Sequence, residues 1–420
     1  MPSETHHLPP VKSLLKLLLL CIVAISATSG AAAQGSDSIQ EQPVWSLLTV
    51  APGNEVYELD GHTGLRYRGT DGTDFVVNWG VFDFNSPNFL YRFVKGETDY
   101  IAAPAPTMAF LMEYMQQGRQ VTEQVLDLTP AQSRMLESYV SMNLQPENRS
   151  YRYNYIYDNC ATRPLKLIEA AVGTQISLPD DGTFIYGDTG IADDSTATHT
   201  FRGEMTRSHA DYPWYQFGID LALGCGLDSE ITSRQRIYSP LYLCHVMRHA
   251  TYTLPGSEPV KLVRETRVIV SGNRASQPAT PFLLTPLFWA LVMLAASMAV
   301  AFTDWRRRHI SRWVDSLFFS LIFITSLVLT FLIFVSVHEA TSPNWLYLWI
   351  NPLAIIPAAL IWIKRCKRAV YCYQICNFAA LSALLVVAAL GVQALNKAFY
   401  PLIAADMLLA ARYILIYSRK

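Results

Sequence analysis

The sequence has little charge: only 16% of its 420 residues are charged, while 51% are hydrophobic. This composition is too apolar for a wholly soluble enzyme and too mixed for membrane helices alone, so two unlike parts are expected. Residues 281–420 hold twelve Lys and Arg against four Asp and Glu, whereas the whole chain has a net charge of −1. The part before residue 281 is therefore acidic. Because proteins bind nucleic acids mainly through Lys and Arg, nucleic acid is excluded as a partner.

A long apolar run is also missing between Gln34 and Ser271. Because a bilayer core requires about 20 apolar residues, this region is expected to be one globular α+β domain. Residues 1–33 have the parts of a secretory signal peptide, with Lys12 and Lys16 ahead of an apolar run and small residues up to Ala33. The mature chain is expected to begin near Gln34, with residues 34–270 outside the cytoplasmic membrane.

Five apolar stretches follow a polar linker at 271–281, so 282–420 is expected to be a five-helix transmembrane bundle. The stretches lie near 282–303, 314–337, 345–363, 369–392 and 399–417. The basic residues between them alternate, because 306–312 and 364–368 are rich in Arg and Lys while the other loops hold only Lys397. Export of the N-terminal domain and the positive-inside rule both place the basic loops in the cytoplasm. The sequence therefore predicts a multi-pass protein of the cytoplasmic (inner) membrane.

Alternating and helical patterns within the domain predict its elements. Strands are expected at 55–67 and 74–84, with Asp71-Gly72 as the turn between them, and again at 260–270. Helices are expected at 107–117, at 129–142 with a capping box of Thr129 and Gln132, and at 165–172 up to Gly173. These elements place the polar motifs considered next.

The seven cysteines divide by position. Cys366, Cys372 and Cys376 lie at or in membrane spans, where small apolar side chains are ordinary. Cys225 and Cys244 are exported and could form a disulfide. Alternatively, Cys244 could join His245 and His249 at a metal site, although no second cluster of ligands accompanies them. Both alternatives remain open, but the disulfide is favoured over the metal site, so neither a metal nor a cofactor is expected.

Cys160 differs because it stands in a polar, aromatic segment that runs into an amphipathic helix. Asp158 or Asn159 is expected to cap this helix, which would place the thiol in its first turn. There the helix dipole and free amides, together with Arg163, would stabilise a thiolate. Cys160 is either buried filler or a nucleophile. Tyr155, Asp158, Asn159 and Arg163 are expected to contact the substrate.

A nucleophilic cysteine needs a base, and His62 is the best candidate among the exported histidines. It is flanked by Gly61 and Gly64 at the start of a strand, which leaves room for a substrate. His199 and His209 are in a polar stretch and are expected to be solvated. Asn78, on the neighbouring strand, is expected to orient the imidazole, with Asp60 and Asp74 as substitutes.

Several of these motifs together resemble the Lnb-type periplasmic domain, a bacterial family associated with lipoprotein N-acylation. They are Gly61-His62-Thr63, Asn78-Trp79-Gly80, Tyr155 to Arg163 around Asp-Asn-Cys160, and Trp214 to Gly224. The resemblance covers about residues 40–270 and is looser in the spans. It implies a permuted papain-like fold of the lecithin retinol acyltransferase type, in which His62 is the base and Cys160 the nucleophile.

The resemblance implies transfer of an acyl chain from a phospholipid donor to the N-terminal amine of a lipoprotein acceptor, through a thioester on Cys160. Two other functions remain open. The same Cys and His pair could cleave cell-wall peptides, or the exported domain could be a non-catalytic membrane scaffold. The surface near Cys160 distinguishes them, because an apolar groove toward the spans favours lipid and a polar cleft favours peptide.

Overall fold

The computed structural model describes residues 42–180, 184–187, 189–194, 197–273 and 279–418. The expected signal peptide, residues 34–41, residues 274–278 of the linker and the last two residues lie outside these ranges. The exported part is built on a seven-stranded antiparallel sheet with the spatial order β6-β4-β3-β2-β1-β5-β9. The strands are β1 (Val44–Val50), β2 (His62–Arg68), β3 (Asp74–Val81), β4 (Asp99–Pro106), β5 (Val121–Leu126), β6 (Ser150–Arg152), the short β7 (Thr251–Tyr252) and β8 (Val260–Lys261), and β9 (Val263–Val270).

Helices cover both faces of the sheet. They are α1 (Phe89–Lys95), α2 (Thr107–Gln116), α3 (Pro130–Asn143), α4 (Thr162–Val172), α5 (Phe201–Ser208), α6 (Pro213–Ala222), α7 (Ser233–Arg236) and α8 (Pro240–Met247). Successive strand residues face opposite sides. Leu47 and Leu65 are therefore buried in one cluster with Ile168 of α4. Leu48 and Val50 are buried on the other face with Phe110 of α2.

Most predicted elements of the domain are confirmed. Thr129 caps α3, and its side chain and that of Gln132 form the reciprocal capping box. Gly173 ends α4 in a left-handed conformation with φ of 82°. The first predicted strand is too long, because Val56–Glu58 form a 3-10 turn and β2 begins only at His62. The sheet also includes β9, so the domain continues to Val270.

The membrane part contains α9 (Pro286–Arg307), α10 (Arg312–Phe334), α11 (Ile355–Leu360), α12 (Lys367–Ala389) and α13 (Phe399–Tyr417). Four described helices, α9, α10, α12 and α13, are long and apolar enough to cross a membrane. The span that contains α12 begins at Lys364. The remaining predicted span is a broken, shorter segment, Trp345–Leu360. Asn351 and Pro352 interrupt it, because proline lacks a backbone N–H and the Asn351 side chain accepts from the Leu353 N–H instead.

Two charged residues of the last membrane helix, Asp406 and Arg412, are paired with polar side chains of other segments. Trp349 and Asn377 donate to the Asp406 carboxylate at 3.0 and 2.7 Å. Arg412 donates to Asp304 at 2.7 Å and to Asp315. Because unpaired charge inside a membrane is costly, these partners explain how Asp406 and Arg412 are accommodated between helices.

The exported domain rests on the loops at one end of the bundle. The Gly224 N–H donates to Ala340 O at 2.7 Å, and the Cys225 N–H donates to Pro343 O at 2.8 Å. Asn396 donates to the buried Asp220 at 2.8 Å. A side chain at Gly224 would come within 2.3 Å of the Pro343 carbonyl oxygen, so this contact needs glycine. The domain is thus held directly against the membrane-spanning part.

Cysteine labelling should verify the orientation of the bundle. An impermeant maleimide should label Glu339→Cys in intact cells, because residue 339 is exposed in a loop on the domain side. It should label Arg307→Cys, exposed at the other end, only after permeabilisation. The unmodified protein gives the background from the natural cysteines. Labelling of Arg307→Cys but not Glu339→Cys in intact cells would reverse the orientation.

Candidate active site

The candidate base is positioned by the glycine that precedes it. Gly61 has a φ of +79°, and a Cβ there would lie 2.5 Å from the Val50 carbonyl oxygen. Only glycine combines this backbone with so close an approach. The turn at Gly61 places His62 opposite Val50 at the start of β2.

Asn78 is the residue that orients the His62 ring. It lies on β3 directly opposite Gly64, which shares a face with His62. Because Gly64 has no side chain, the imidazole can reach across it, and His62 Nε2 lies 3.0 Å from Asn78 Oδ1. The amide oxygen can only accept, so Nε2 donates and Nδ1 carries the lone pair. The geometry therefore selects Asn78 as the partner of the ring. The proposed substitutes are engaged elsewhere, Asp60 with His209 and Tyr155, and Asp74 with Arg66.

Cys160 lies against the beginning of the same strand. Cys160 is buried, with 7% of the residue exposed, and its thiol accepts hydrogen bonds from the backbone N–H of Thr63, the residue after His62, and from the Tyr153 hydroxyl. The two sequence motifs, nearly a hundred residues apart, thus meet at one end of β2. The arrangement gathers a thiol, hydrogen-bond donors and a histidine with a defined tautomer.

The protonation of the pair differs from the expected thiolate. Burial raises the pKa of the Cys160 thiol to about 11, against the lowering effect of its hydrogen bonds from Thr63 and Tyr153. Burial also lowers the pKa of His62 to about 4, against the hydrogen bond with Asn78. At neutral pH the resting groups are therefore a thiol and a neutral imidazole.

Local hydrogen bonds explain why the stabilisation expected from the helix amides and Arg163 does not offset this burial. The Asn159 side chain accepts from the N–H groups of Ala161 and Thr162 at 2.8 and 2.9 Å, so it takes the amides that were expected to stabilise a thiolate. Arg163 forms a two-point ion pair with Asp158 at 2.8 and 2.7 Å. The charge of Arg163 is thus balanced within the segment.

These contacts also bear on the predicted substrate contacts. Asn159 is 2% exposed, and its amide group donates to Tyr155 O and Tyr238 O at 2.7 and 2.8 Å. It therefore holds the segment in place, and a contact of Asn159 with the substrate stays a prediction. Asp158 and Arg163 remain partly exposed, with 29% and 20% of their side chains accessible. For them and for Tyr155 the substrate contact stays a prediction.

A buried ionic pair lies close to the site. Asp60 Oδ2 accepts a hydrogen bond from Tyr155 and lies 3.5 Å from His209 Nε2. Burial opposes the charge of Asp60, but His209 and the hydrogen bonds from His209 and Tyr155 hold its pKa below the ordinary value. Burial likewise opposes the charge of His209, yet Asp60 raises its pKa.

The expectation that His199 and His209 are solvated is wrong. His209 is 1% exposed. His199 Nδ1 lies 2.7 Å from Glu204. A polar stretch of sequence does not reveal such partners, because Glu204 is brought to His199 by the start of α5 and Asp60 reaches His209 from a distant segment.

The structure also tests the disulfide and the metal site that were considered for Cys225 and Cys244. Cys225 and Cys244 are both free thiols, so the proposed disulfide is not formed. Within the described ranges, no three His, Cys, Asp or Glu side chains gather as a metal-binding group. His245 instead lies 3.5 Å from Asp180.

Sequence reasoning missed Thr63 and Tyr153 as neighbours of the thiol. Thr63 contacts the thiol through its backbone N–H, which every residue except proline has, so only its position after His62 could have indicated the contact. Tyr153 lies in the aromatic segment before Cys160, but its hydroxyl could be assigned only once the segment was seen to fold back. Gly80, with φ of +94°, provides the room, because a Cβ there would lie 3.1 Å from the Tyr153 ring.

Two family models match the chain over most of its length. Residues 34–186 match the Lnb N-terminal periplasmic domain, and residues 277–420 match the Lnb transmembrane domain. The chain belongs to the Lnb family. The label of the second model specifies five transmembrane helices, which agrees with four long helices and one broken segment. No curated protein and no solved structure matches this Lnb protein.

Membership of the Lnb family confirms the architecture expected from the sequence. This Lnb protein has a periplasmic α+β domain followed by a helical membrane domain. His62, Asn78 and Cys160 all lie within the matched periplasmic region. Because one fold can host different chemistries, the reaction must be argued from the site itself.

Proposed function

We propose that this Lnb protein is a membrane-bound thiol acyltransferase of the inner membrane, which moves an acyl chain from a phospholipid to the N-terminal amine of a lipoprotein. The observation that carries the proposal is the meeting of Cys160 with the start of β2, where Asn78 fixes the His62 tautomer. Docking of the domain on the bundle supports it further, because both lipid substrates reside in the membrane.

The first half of the proposed reaction forms a thioester. His62 Nδ1 takes the thiol proton as Cys160 Sγ attacks the carbonyl carbon of a phospholipid ester. The tetrahedral intermediate collapses, its ester C–O bond breaks, and the lysophospholipid oxygen leaves with the proton from the imidazolium. The acyl chain is then bonded to sulfur.

The second half transfers the chain to nitrogen. The lipoprotein amine attacks the thioester carbonyl, and His62 accepts a proton from the attacking nitrogen. The C–S bond breaks, and the sulfur recovers a proton from His62. The products are an amide and the free thiol, so the enzyme returns to its starting state. Buried donors such as the Tyr153 hydroxyl would stabilise the charge that develops.

The acyl-enzyme is the test of this function. Wild-type protein incubated with phospholipid should gain the mass of one acyl chain, and hydroxylamine should remove it because thioesters are cleaved by this reagent. Peptide mapping should locate the adduct at Cys160. If wild-type protein never carries such an adduct and Cys160→Ala still acylates a lipopeptide acceptor, the thioester route is disproved.

Tyr153→Phe should slow the transfer roughly 10- to 100-fold, the range expected for losing one hydrogen bond to a charged group of about 1.5–3 kcal/mol. The ring and its packing remain, so the fold should be unaffected. The rate of thioester formation measures the effect. Tyr157→Phe is the matched control, because Tyr157 is 51% exposed. Equal rates for the two variants would remove Tyr153 from the mechanism.

A further inference from the structure

A continuous series of aromatic contacts leads away from Cys160. The Tyr153 ring stacks on Tyr100 with centroids 4.6 Å apart, and Tyr100 contacts Phe82 at 5.2 Å. Phe82 then contacts Phe84 at 4.7 Å. Since Tyr153 also donates to the thiol, this series joins the candidate nucleophile to the outside of the domain.

The series ends in an exposed apolar surface, which we call the aromatic surface. Its residues are Val56, Tyr57, Phe84, Leu90, Tyr91 and Phe93. Leu90 is 72% exposed, Tyr57 61% and Phe84 59%. Apolar side chains clustered in this way on a folded domain mark a site of interaction with a partner or a membrane.

The aromatic surface adjoins the membrane-spanning part. The Val337 N–H, just beyond the end of α10, donates to Lys95 O at 2.8 Å and so holds the end of α1 there. Tyr91 of α1 contacts Phe331 of α10 with ring centroids 6.0 Å apart. The apolar surface of the transmembrane helix therefore continues onto the domain.

The charges on α1 do not point to an ionic partner. Arg92 pairs with Asp99 at 2.7 Å, and Lys95 pairs with Glu97 at 2.8 Å. Both cations are balanced within the domain, so the partner of the aromatic surface must be recognised through apolar contact. An acyl chain fits this requirement.

We infer that the aromatic surface enters the outer leaflet and binds the acyl chain of a phospholipid, which it delivers along the ring series to Cys160. The inference rests on the proposed function in taking Cys160 as the destination. The lipid contact itself does not require turnover, so it can be tested separately from the chemistry.

Photocrosslinking in a bilayer tests the contact. Full-length Cys160→Ala protein is placed in nanodiscs of phosphatidylethanolamine and phosphatidylglycerol that contain a trace of phospholipid with a diazirine at the end of one acyl chain. After irradiation, peptides are mapped by mass spectrometry and their yields are normalised to that of α10. Adducts are expected in the segment 82–93.

Substitutions on the surface should remove this labelling. Phe84→Asn combined with Leu90→Asn should lower the normalised yield in 82–93 about tenfold, because two apolar contacts with the chain are lost. Val268→Asn is the control and should change nothing, since Val268 is similarly exposed at 53% but lies on β9 at the opposite edge of the sheet.

The outcomes separate the lipid surface from the chemistry. Adducts confined to the transmembrane helices, or labelling that the double substitution leaves unchanged, would each overturn the inference. A thioester on wild-type Cys160 without labelling in 82–93 would keep the proposed function and reject the lipid surface. Labelling in 82–93 without a thioester on Cys160 would keep the lipid surface and reject the proposed function.

Discussion

Cys160→Ala should lower acyl transfer by roughly 10⁴-fold or more, as removal of a nucleophile does in other covalent enzymes. The protein should still fold, because the change removes one sulfur atom from a site that is already 7% exposed. The rate of acylation of a synthetic lipopeptide by the purified protein measures the loss, and circular dichroism of the same sample verifies the fold.

Cys160→Ser is the matched variant, since it keeps the size of the side chain and the hydrogen bonds from Thr63 and Tyr153. Serine should retain only a trace of transfer, because an alkoxide is much harder to form than a thiolate. Full transfer by Cys160→Ala would show that the acyl chain never passes through this sulfur, and the proposed mechanism would then be wrong.

The contact between His62 and Asn78 could be predicted from sequence because strand geometry is regular. Glycine on both sides of His62 marked a tight approach, and the spacing along two neighbouring strands placed Asn78 near it. The structure brings the two within 3.0 Å across Gly64. Side chains along a strand alternate between the two faces, and one hairpin turn joins the two strands. These two features were sufficient to predict this part of the site.

The state of the thiol could not be predicted in the same way. The expected position of Cys160 in the first turn of a helix favoured a thiolate, but the helix begins only at Thr162. Asn159 also competes for the same amides, and Asp158 balances Arg163. Which side chain wins such a competition depends on distances within one turn of the chain. Burial then decides the pKa, and burial depends on packing against β2.

The interruption of the predicted span 345–363 could not be predicted for a similar reason. Hydropathy counts apolar residues and detected the stretch, but it does not register that Asn351-Pro352 interrupts the hydrogen bonds of a helix. The pairs of Asp406 and Arg412 join segments far apart in sequence. Hydropathy therefore predicted the number of apolar segments, while the interruption and the partners required the fold.

His62→Ala should be nearly as inactive as Cys160→Ala, because a neutral thiol with a pKa of about 11 needs a base to release its proton at neutral pH. The double variant should be no worse than either single one, since residues that act as a unit are not additive. Asn78→Ala should cost less, because it removes only the orientation of the ring. His249→Gln, at an exposed histidine, is the control and should keep the full rate.

The pH dependence of the wild-type rate should reflect the buried environment of His62. Only the neutral imidazole can accept a proton, so kcat/KM should fall as the pH drops through about 4, the pKa of His62 in the folded protein. At pH 5 the rate should therefore be close to its value at pH 7, whereas a histidine with an ordinary pKa of about 6.5 would already be mostly protonated. Asn78→Ala should move the fall to still lower pH, because the hydrogen bond that His62 donates to Asn78 raises the pKa of His62. A wild-type profile that falls near pH 6.5 would instead mean that the ring is solvated when it acts, and that its burial in the resting protein is relieved before the thiol is deprotonated.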